Sequence, residues 1–291
     1  MSSIDFSLLR DRKGFPSRVM EALARRPLDY PAQFELINWQ RKSRGRWGAG
    51  AVLLPLFFRE EEARGREASG QYLFLLSKRS KHVQQPGDLC APGGGIHPRQ
   101  DALFGKLLGS GFLPGLRSPA LALAGRRGKR DYGKLLLLLG SALRESWEEL
   151  HLSPFNVEFL GPLPAYRLYH RPWIIFPLVG RVKHPWKPKL NWEVEKIVSI
   201  PLENFFHPEH HAVYSLEVPE SLVHQGIPNP WEFPCLVHEE DGGEEILWGA
   251  TFEIIRTFFQ IVFDFSFSVP DKPRVIRRPL ASNYLSGRER P

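Results

Sequence analysis

The chain has 291 residues, of which 42% are hydrophobic and 12% aromatic, so it belongs to the globular class and not to the disordered one. It has only two cysteines, Cys90 and Cys235, which exclude a disulfide framework or a four-thiolate zinc site and favour a reduced, cytoplasmic setting. A formal charge of +7 and a pI near 9.5 favour anionic partners.

The likeliest class of partner follows from how the basic residues are distributed. Aromatic side chains are not interleaved with the basic clusters, as they are in single-strand nucleic-acid grooves, so a phosphate-bearing small molecule is favoured over nucleic acid. The first fifteen residues lack the apolar core of a secretory signal, and the apolar run Leu135–Leu139 is too short to span a bilayer. A soluble protein with no membrane partner is therefore expected.

The elements predicted from the sequence alternate between strands and helices. Short helices broken by prolines are expected in residues 1–45, and a segment rich in Leu, Gly and Arg at about 102–140 looks like an insertion whose Leu-rich end runs into a helix. We expect one α/β domain over residues 46–265 and a basic, irregular tail over 266–291. The predicted strands are Ala49–Phe58 and Gln71–Ser77 (paired as a hairpin), Leu89–Ala91, Val157–Leu163, Trp173–Val182, Lys196–Ile200, Trp231–Val237 and Glu245–Trp248, and a closing helix is predicted at Thr251–Phe265.

One predicted helix, Ser141–Leu152, carries an unusual group of charges. Its periodicity places Leu143, Trp147 and Leu150 on one side. Three glutamates, Glu145, Glu148 and Glu149, share the other side at three- and four-residue spacing, where like charges destabilise a helix. Such a cluster is either a solvated face or a site for a hard divalent cation.

A glycine turn, Gly93-Gly94-Gly95, precedes this helix across the insertion. Glycine allows a ligand to approach the backbone closely. Together with the acidic helix, the turn is a candidate cradle for a metal–diphosphate complex.

The pattern APGG…ALRESWEEL resembles the signature box of the Nudix hydrolases, with complete matches at Arg144, Glu145, Glu148 and Glu149. Three other blocks, LFLLSKRSKHVQQPGDLCAPGG, NWEVEKIVSIPLENF and LWGATFEII, resemble the subfamily that hydrolyses coenzyme A. The resemblance extends from about Ala49 to Phe259. It implies an α/β/α sandwich with a mixed, curved β-sheet between helices.

The resemblance also implies a role for particular residues. Glu145, Glu148 and Glu149 would bind Mg²⁺ or Mn²⁺ together with the carbonyl of Gly93, and Arg144 would brace the carboxylates. Glu193 is the candidate general base, with Glu195 in reserve. The expected substrate-binding residues are Arg79, Lys81, Gly93 and Gly94.

The box departs from the family pattern at three places. The glutamate expected six residues after Gly94 is Gln100, with Asp101 beside it, and the insertion Ala102–Gly140 separates this position from Arg144. Within the helix, Ser146 replaces an aliphatic residue and His151 replaces the terminal glycine. A histidine adopts the left-handed conformation only at some cost, so the helix end is expected to be remodelled.

Three functions stay open at this point. The first is a metal-dependent pyrophosphatase that cleaves coenzyme A or acyl-coenzyme A into 3′,5′-ADP and (acyl-)4′-phosphopantetheine. The second is a Nudix enzyme with another nucleoside diphosphate substrate, such as ADP-ribose or NADH. The third is a non-catalytic, Nudix-like nucleotide-binding module, and a homodimer is possible in each case.

Overall fold

The computed structural model describes residues 6–27, 29–45, 47–60, 70–110, 118–126, 128–168, 171–224, 227–267, 272–280 and 284. The helices of this part are α1 (Ser7–Arg10), α2 (Gly14–Ala24), α3 (Tyr30–Arg44), α4 (Pro98–Gly109), α5 (Pro119–Gly125), α6 (Lys129–Leu150), α7 (Glu220–Val223) and α8 (Gly249–Phe263). The strands are β1 (Gly48–Glu60), β2 (Gly70–Arg79), β3 (Leu89–Cys90), β4 (Gly93–Gly95), β5 (Val157–Pro162), β6 (Tyr166–Arg167), β7 (Trp173–Val182), β8 (Val194–Pro201), β9 (His211–Glu217), β10 (Trp231–Glu240), β11 (Gly243–Trp248) and β12 (Arg274–Pro279). Short 3₁₀ helices lie at Pro154–Asn156, Leu202–Phe206 and Pro208–His210.

The larger sheet is mixed and has strand order β3-β2-β1-β7-β5. Strand β1 runs parallel to β7 and antiparallel to β2, so the hairpin predicted for the first two strands is confirmed. The short strand β4 also pairs with β1, antiparallel, which places the glycine turn beside the centre of the sheet. Strand β6 pairs with β7, and β8 pairs with β2.

Helices cover both faces of this sheet, and the alternation of side chains along β1 shows how. Leu54 and Leu56 belong to one buried cluster, which also contains α8 and α2 residues, whereas Leu53 points into a second cluster with α6. Side chains along a strand alternate between the two faces, so neighbouring residues reach opposite cores. The α/β/α sandwich with a mixed sheet is therefore confirmed.

The N-terminal helices take part in both cores. Phe15 and Leu23 of α2 pack into the α8 cluster, while Tyr30 and Ile37 of α3 pack into the α6 cluster. The expected helical character of residues 1–45 is confirmed for the described residues. The division into an extension, a domain and a tail stays a prediction.

The C-terminal tail corrects one expectation from the sequence. Residues 266–291 were expected to be irregular, but Arg274–Pro279 forms β12, which pairs in parallel with β9 in a second sheet of order β11-β10-β9-β12. The prediction was wrong because a basic, proline-containing segment carries little strand signal of its own, whereas the free edge of β9 supplies its hydrogen bonds. Ile276 anchors the strand in a small buried cluster with Cys235.

The described residues of the insertion lie mainly in α4, α5 and the first part of α6, and α4 packs against α6. A Cβ added at Gly105 of α4 would lie 2.7 Å from the backbone carbonyl oxygen of Leu136. A Cβ added at Gly140 of α6 would lie 2.8 Å from the backbone carbonyl oxygen of Asp101. Both positions must therefore be glycine for the two backbones to approach this closely. Among the described residues, no helix combines the length and the apolarity that crossing a membrane requires.

Candidate active site

Helix α6 carries the glutamates, and its C-terminal end departs from the pattern predicted for it. Leu143 and Leu150 are buried as expected, but Trp147 is 41% exposed and stacks on the His151 ring at a centroid distance of 3.9 Å. Ser146 takes the buried place on this face, with its hydroxyl donating to the Ala142 carbonyl at 2.7 Å. The polar serine tolerates burial because its hydroxyl is hydrogen-bonded within the helix.

The helix ends where the sequence predicted remodelling. His151 adopts a left-handed conformation with φ 56° and ψ 29°, and its N–H donates to the carbonyls of Ser146 and Trp147. These two hydrogen bonds cap the helix in the place of a terminal glycine. The stacking on Trp147 adds a contact that holds the strained residue.

The glycine turn lies directly against two of the glutamates. The N–H of Gly93 donates to Glu149 Oε1 at 3.4 Å. A Cβ added at Gly94 would lie 2.5 Å from Glu145 Oε1, so only glycine leaves room for this carboxylate. The structure therefore brings together the turn and the helix that the insertion separates in sequence.

Glu149 is the most buried of the three glutamates, with 7% of its surface exposed. Burial and, after it, the neighbouring charge of Glu145 raise the pKa of its carboxyl group to about 8, although the Gly93 N–H and Arg79 act in the opposite direction. Burial also raises the pKa of Glu145, against the opposing effect of Arg144. Two carboxyl groups thus share a desolvated position that favours a positive partner.

Arg144 braces the other two glutamates from within the helix. Its guanidinium contacts Glu145 Oε1 and Glu148 Oε2, each at 2.9 Å, and Asp101 Oδ1 at 2.8 Å. Glu148 is half-exposed, so its carboxylate reaches solvent. The bracing role implied for Arg144 by the resemblance agrees with these contacts.

Asp101 occupies the place in which the box pattern expects a glutamate. It is fully buried, accepts a hydrogen bond from the His97 N–H at 2.6 Å and pairs with Arg144, whereas Gln100 is exposed. The approach of α4 to α6 at Gly105 and Gly140 places Asp101 beside Arg144 across the insertion. Next to the departure at Gln100, Asp101 therefore supplies Arg144 with a buried carboxylate partner.

The residues present fit a divalent metal ion. Glu145 and Glu148 pair with Arg144, and the described residues hold no group of three or more His, Cys, Asp or Glu side chains already gathered as a metal site. The buried Glu149 carboxylate, in contrast, has the Gly93 N–H as its hydrogen-bond partner at the long distance of 3.4 Å. Hard oxygen donors in a desolvated position are the ligands that Mg²⁺ and Mn²⁺ prefer.

The two candidate bases differ in their surroundings. The negative charge of Glu193 contributes to the raised pKa of Glu149, which shows that the two carboxylates interact. Glu195 is instead half-exposed and forms an ion pair with Lys78 at 3.5 Å. Glu195 thus has a cation of its own, whereas the charge of Glu193 acts on Glu149, so Glu193 stays the candidate base.

A cavity of about 490 Å³ opens beside the glycine turn. Arg79 lines it and donates from Nε to the Gln84 carbonyl at 2.7 Å, whereas Lys81 is exposed and is not part of the lining. The cavity is also lined by residues that the sequence analysis did not single out, among them Asp88, Arg171, Trp231, Phe233, Trp248 and Tyr284. Asp88 and Trp248 lie in two of the blocks that resemble the coenzyme A subfamily but were assigned no role, and the other four lie outside those blocks.

No protein-family model matches the chain. The chain is 26% identical over 172 residues to the peroxisomal coenzyme A diphosphatase NUDT7 of Mus musculus, covering 59% of the chain and 53% of that protein. The chain thus spans about half the length of this curated relative.

Solved structures also match. A MutT/nudix family protein from Enterococcus faecalis is 14% identical, with a TM-score of 0.39 and coverage of 81% of this chain and 72% of that one. The NUDIX domain of Shewanella oneidensis NrtR, complexed with ADP ribose, is also 14% identical, with a TM-score of 0.32 and coverage of 60% and 85%. Because both scores lie below 0.5, the description of the fold rests on the strand order given above.

The acidic helix, the glycine turn and the mouse relative agree with the resemblance of the chain to the Nudix hydrolases. The relative is a coenzyme A diphosphatase, to which the chain is similar over part of its length. The resemblance inferred from the motif is confirmed at this level.

Proposed function

We propose that the chain is a metal-dependent pyrophosphatase that hydrolyses the diphosphate of coenzyme A or acyl-coenzyme A. The products are 3′,5′-ADP and 4′-phosphopantetheine or its acyl form. The observation that carries the proposal is the buried carboxylate of Glu149 against the Gly93 N–H, at the edge of a cavity that can admit a substrate. The name of the mouse relative supports the choice of substrate.

The metal would be held by Glu149 and Glu145, with Glu148 and the Gly93 carbonyl as further ligands. When bound, Mg²⁺ or Mn²⁺ spreads the negative charge of the diphosphate and lowers the pKa of water. The use of Mg²⁺ or Mn²⁺ and a cytoplasmic location are expectations from the sequence.

The chain's own residues supply the remaining parts of the reaction. Glu193 accepts the proton of the attacking water, and Arg79 contributes positive charge to the cavity. Arg144 holds Glu145 and Glu148 in place through its two ion pairs. Attack on one phosphorus atom breaks its bond to the bridging oxygen, which leaves with the other half of the substrate.

The proposal is tested by incubating the purified chain with Mg²⁺ or Mn²⁺ and a panel of coenzyme A, acyl-coenzyme A, ADP-ribose and NADH, with products resolved by mass. We expect turnover of coenzyme A or its acyl form, and its loss by about a thousandfold in Glu149→Gln. Glu209→Gln is a matched control on an exposed surface carboxylate. Turnover of ADP-ribose or NADH alone selects the second function, and nucleotide binding without turnover selects the binding module.

A further inference from the structure

The cavity has an aromatic wall that the metal site does not use. Trp231 and Phe233 come from β10, Trp248 ends β11, and Tyr284 comes from the tail beyond β12. The ring centroids of Trp231 and Phe233 are 4.6 Å apart, those of Phe233 and Trp248 are 4.9 Å apart, and Trp248 and Tyr284 stack at 6.2 Å. These four side chains are called the aromatic wall below.

Hydrogen bonds fix this wall to the loop that follows Arg79. Asp88 accepts from the Trp248 indole N–H at 3.1 Å and from the Tyr284 hydroxyl at 2.5 Å. The Gln85 N–H donates to the Tyr284 carbonyl at 2.9 Å. The rings are therefore held in a defined arrangement, which reduces the entropy that a ligand's binding would cost.

Two arginine side chains line the same cavity as the aromatic wall. Arg79 and Arg171 both line the cavity and are joined through Gln84, whose carbonyl accepts from Arg79 at 2.7 Å and whose amide oxygen accepts from Arg171 at 2.9 Å. Guanidinium groups bind phosphate oxygens with directed hydrogen bonds. A cavity with aromatic rings and two guanidinium groups matches a ligand that is both flat and anionic.

We propose that the aromatic wall is the subsite for the purine base of the substrate, with Arg79 and Arg171 binding the phosphates of the same nucleotide half. This inference rests on the proposed function, because it takes the substrate to be a nucleoside diphosphate derivative. Aromatic rings stack on the π-face of any base. The pantetheine arm has no flat ring and no charge outside its phosphate, so it does not match both features.

The direct test is calorimetric titration of the full chain, in Mg²⁺ buffer, with 3′,5′-ADP and separately with 4′-phosphopantetheine. Neither compound contains a diphosphate, so neither is hydrolysed. We expect Trp231→Leu to weaken 3′,5′-ADP binding by about 5- to 100-fold, because loss of one stacked ring has an effect of this order. Binding of 4′-phosphopantetheine should change by less than about twofold.

Two further variants keep the test independent of folding. Trp39→Leu replaces a tryptophan of α3 that is 57% exposed and does not line the cavity, and it should bind 3′,5′-ADP like the wild type. Phe233→Leu replaces a second ring of the wall and should weaken the nucleotide in the same direction as Trp231→Leu. If Trp231→Leu does not fold, as judged by its thermal transition, Phe233→Leu decides the outcome.

The outcomes separate this inference from the proposed function. Wild-type turnover of coenzyme A, with 3′,5′-ADP binding unchanged in both leucine variants, overturns the base subsite and leaves the enzyme proposal standing. A selective loss of 4′-phosphopantetheine binding also overturns it, because the wall then holds the other arm. No turnover of any substrate, with nucleotide binding that depends on Trp231, supports the subsite and overturns the enzyme proposal.

Discussion

The two ends of the cavity are built in different ways. At the carboxylate end, Gly93–Gly95 meets Glu145 and Glu149 of α6, and nearly all the chemistry comes from two short motifs. At the aromatic end, the wall is assembled from β10, β11 and the tail, and it is fastened to the loop after Arg79 by Asp88. The residues of the carboxylate end come from short sequence motifs, whereas those of the aromatic end are brought together by tertiary packing.

The buried acids at the two ends are held by different kinds of partner. Asp101, near the carboxylate end, pairs with the charged Arg144 at 2.8 Å. Asp88, at the aromatic end, is held by the neutral donors Trp248 and Tyr284, and its burial raises its pKa to about 6. Asp101 is thus held by a cation, whereas Asp88 is held by neutral donors.

The largest expected effect lies at the carboxylate end and concerns the general base. Glu193→Gln should lower kcat for coenzyme A by about 10²- to 10⁴-fold, because an amide cannot accept the proton of the attacking water. The matched variant Glu195→Gln should change kcat by less than about threefold, since Glu195 pairs with Lys78. Steady-state kinetics at saturating metal measures both, and an equal loss in the two variants would remove Glu193 from the proposed role.

The second-largest expected effect concerns Asp101, the acid beside the position at which the box pattern expects a glutamate. Asp101→Asn should lower the free energy of unfolding by about 2–3 kcal/mol, because it removes a fully buried partner of Arg144. Gln100→Ala changes an exposed neighbour and should stay within about 0.5 kcal/mol. Urea unfolding of both variants measures the contrast. A larger loss in Gln100→Ala would contradict the assignment of Asp101.

The residues of the carboxylate end could be singled out from the sequence, whereas the aromatic wall could not, and the reasons are physical. The spacing of Glu145, Glu148 and Glu149 follows from the helical period, and the larger sheet follows from runs of apolar residues. The burial of Trp147 was predicted wrongly, since periodicity does not register its stacking on His151. Helical spacing also does not predict the contact between Asp101 and Arg144. This contact depends on the close approach of α4 and α6 at Gly105 and Gly140.

The aromatic end was missed for a related reason. Trp231 and Trp248 each lie in a predicted strand, but neither strand carries a sign of the cavity. Tyr284 lies in a tail that was expected to be irregular, and it reaches Asp88 because β12 pairs with the edge of β9. Contacts between segments so distant in sequence depend on the whole fold, which local patterns do not contain.

A smaller effect tests how tightly the carboxylate end is packed. Gly94→Ala places a methyl group within 2.5 Å of the Glu145 carboxylate, so we expect kcat to fall by about tenfold as this side chain is displaced. Gly95→Ala is the matched control, because its added Cβ would lie 3.8 Å from the nearest atom, on Trp173. Turnover of coenzyme A under saturating conditions measures the two. Equal losses would show that the turn responds to any substitution and not to contact with Glu145.

The smallest effect belongs to the aromatic end and is a dependence on pH. Burial raises the pKa of Asp88 to about 6 from its ordinary value of 3.8, although the Tyr284 hydroxyl, the Trp248 N–H and Arg79 act to lower it. Between these two values the folded chain holds a proton that the unfolded chain has lost, so the contribution of Asp88 to stability falls as pH rises through this window. We expect the stability of the wild type relative to Asp88→Asn to fall by about 1 kcal/mol from about pH 4 to about pH 6.5, as measured by urea unfolding without metal. A wild-type profile parallel to that of Asp88→Asn would contradict this contribution of Asp88.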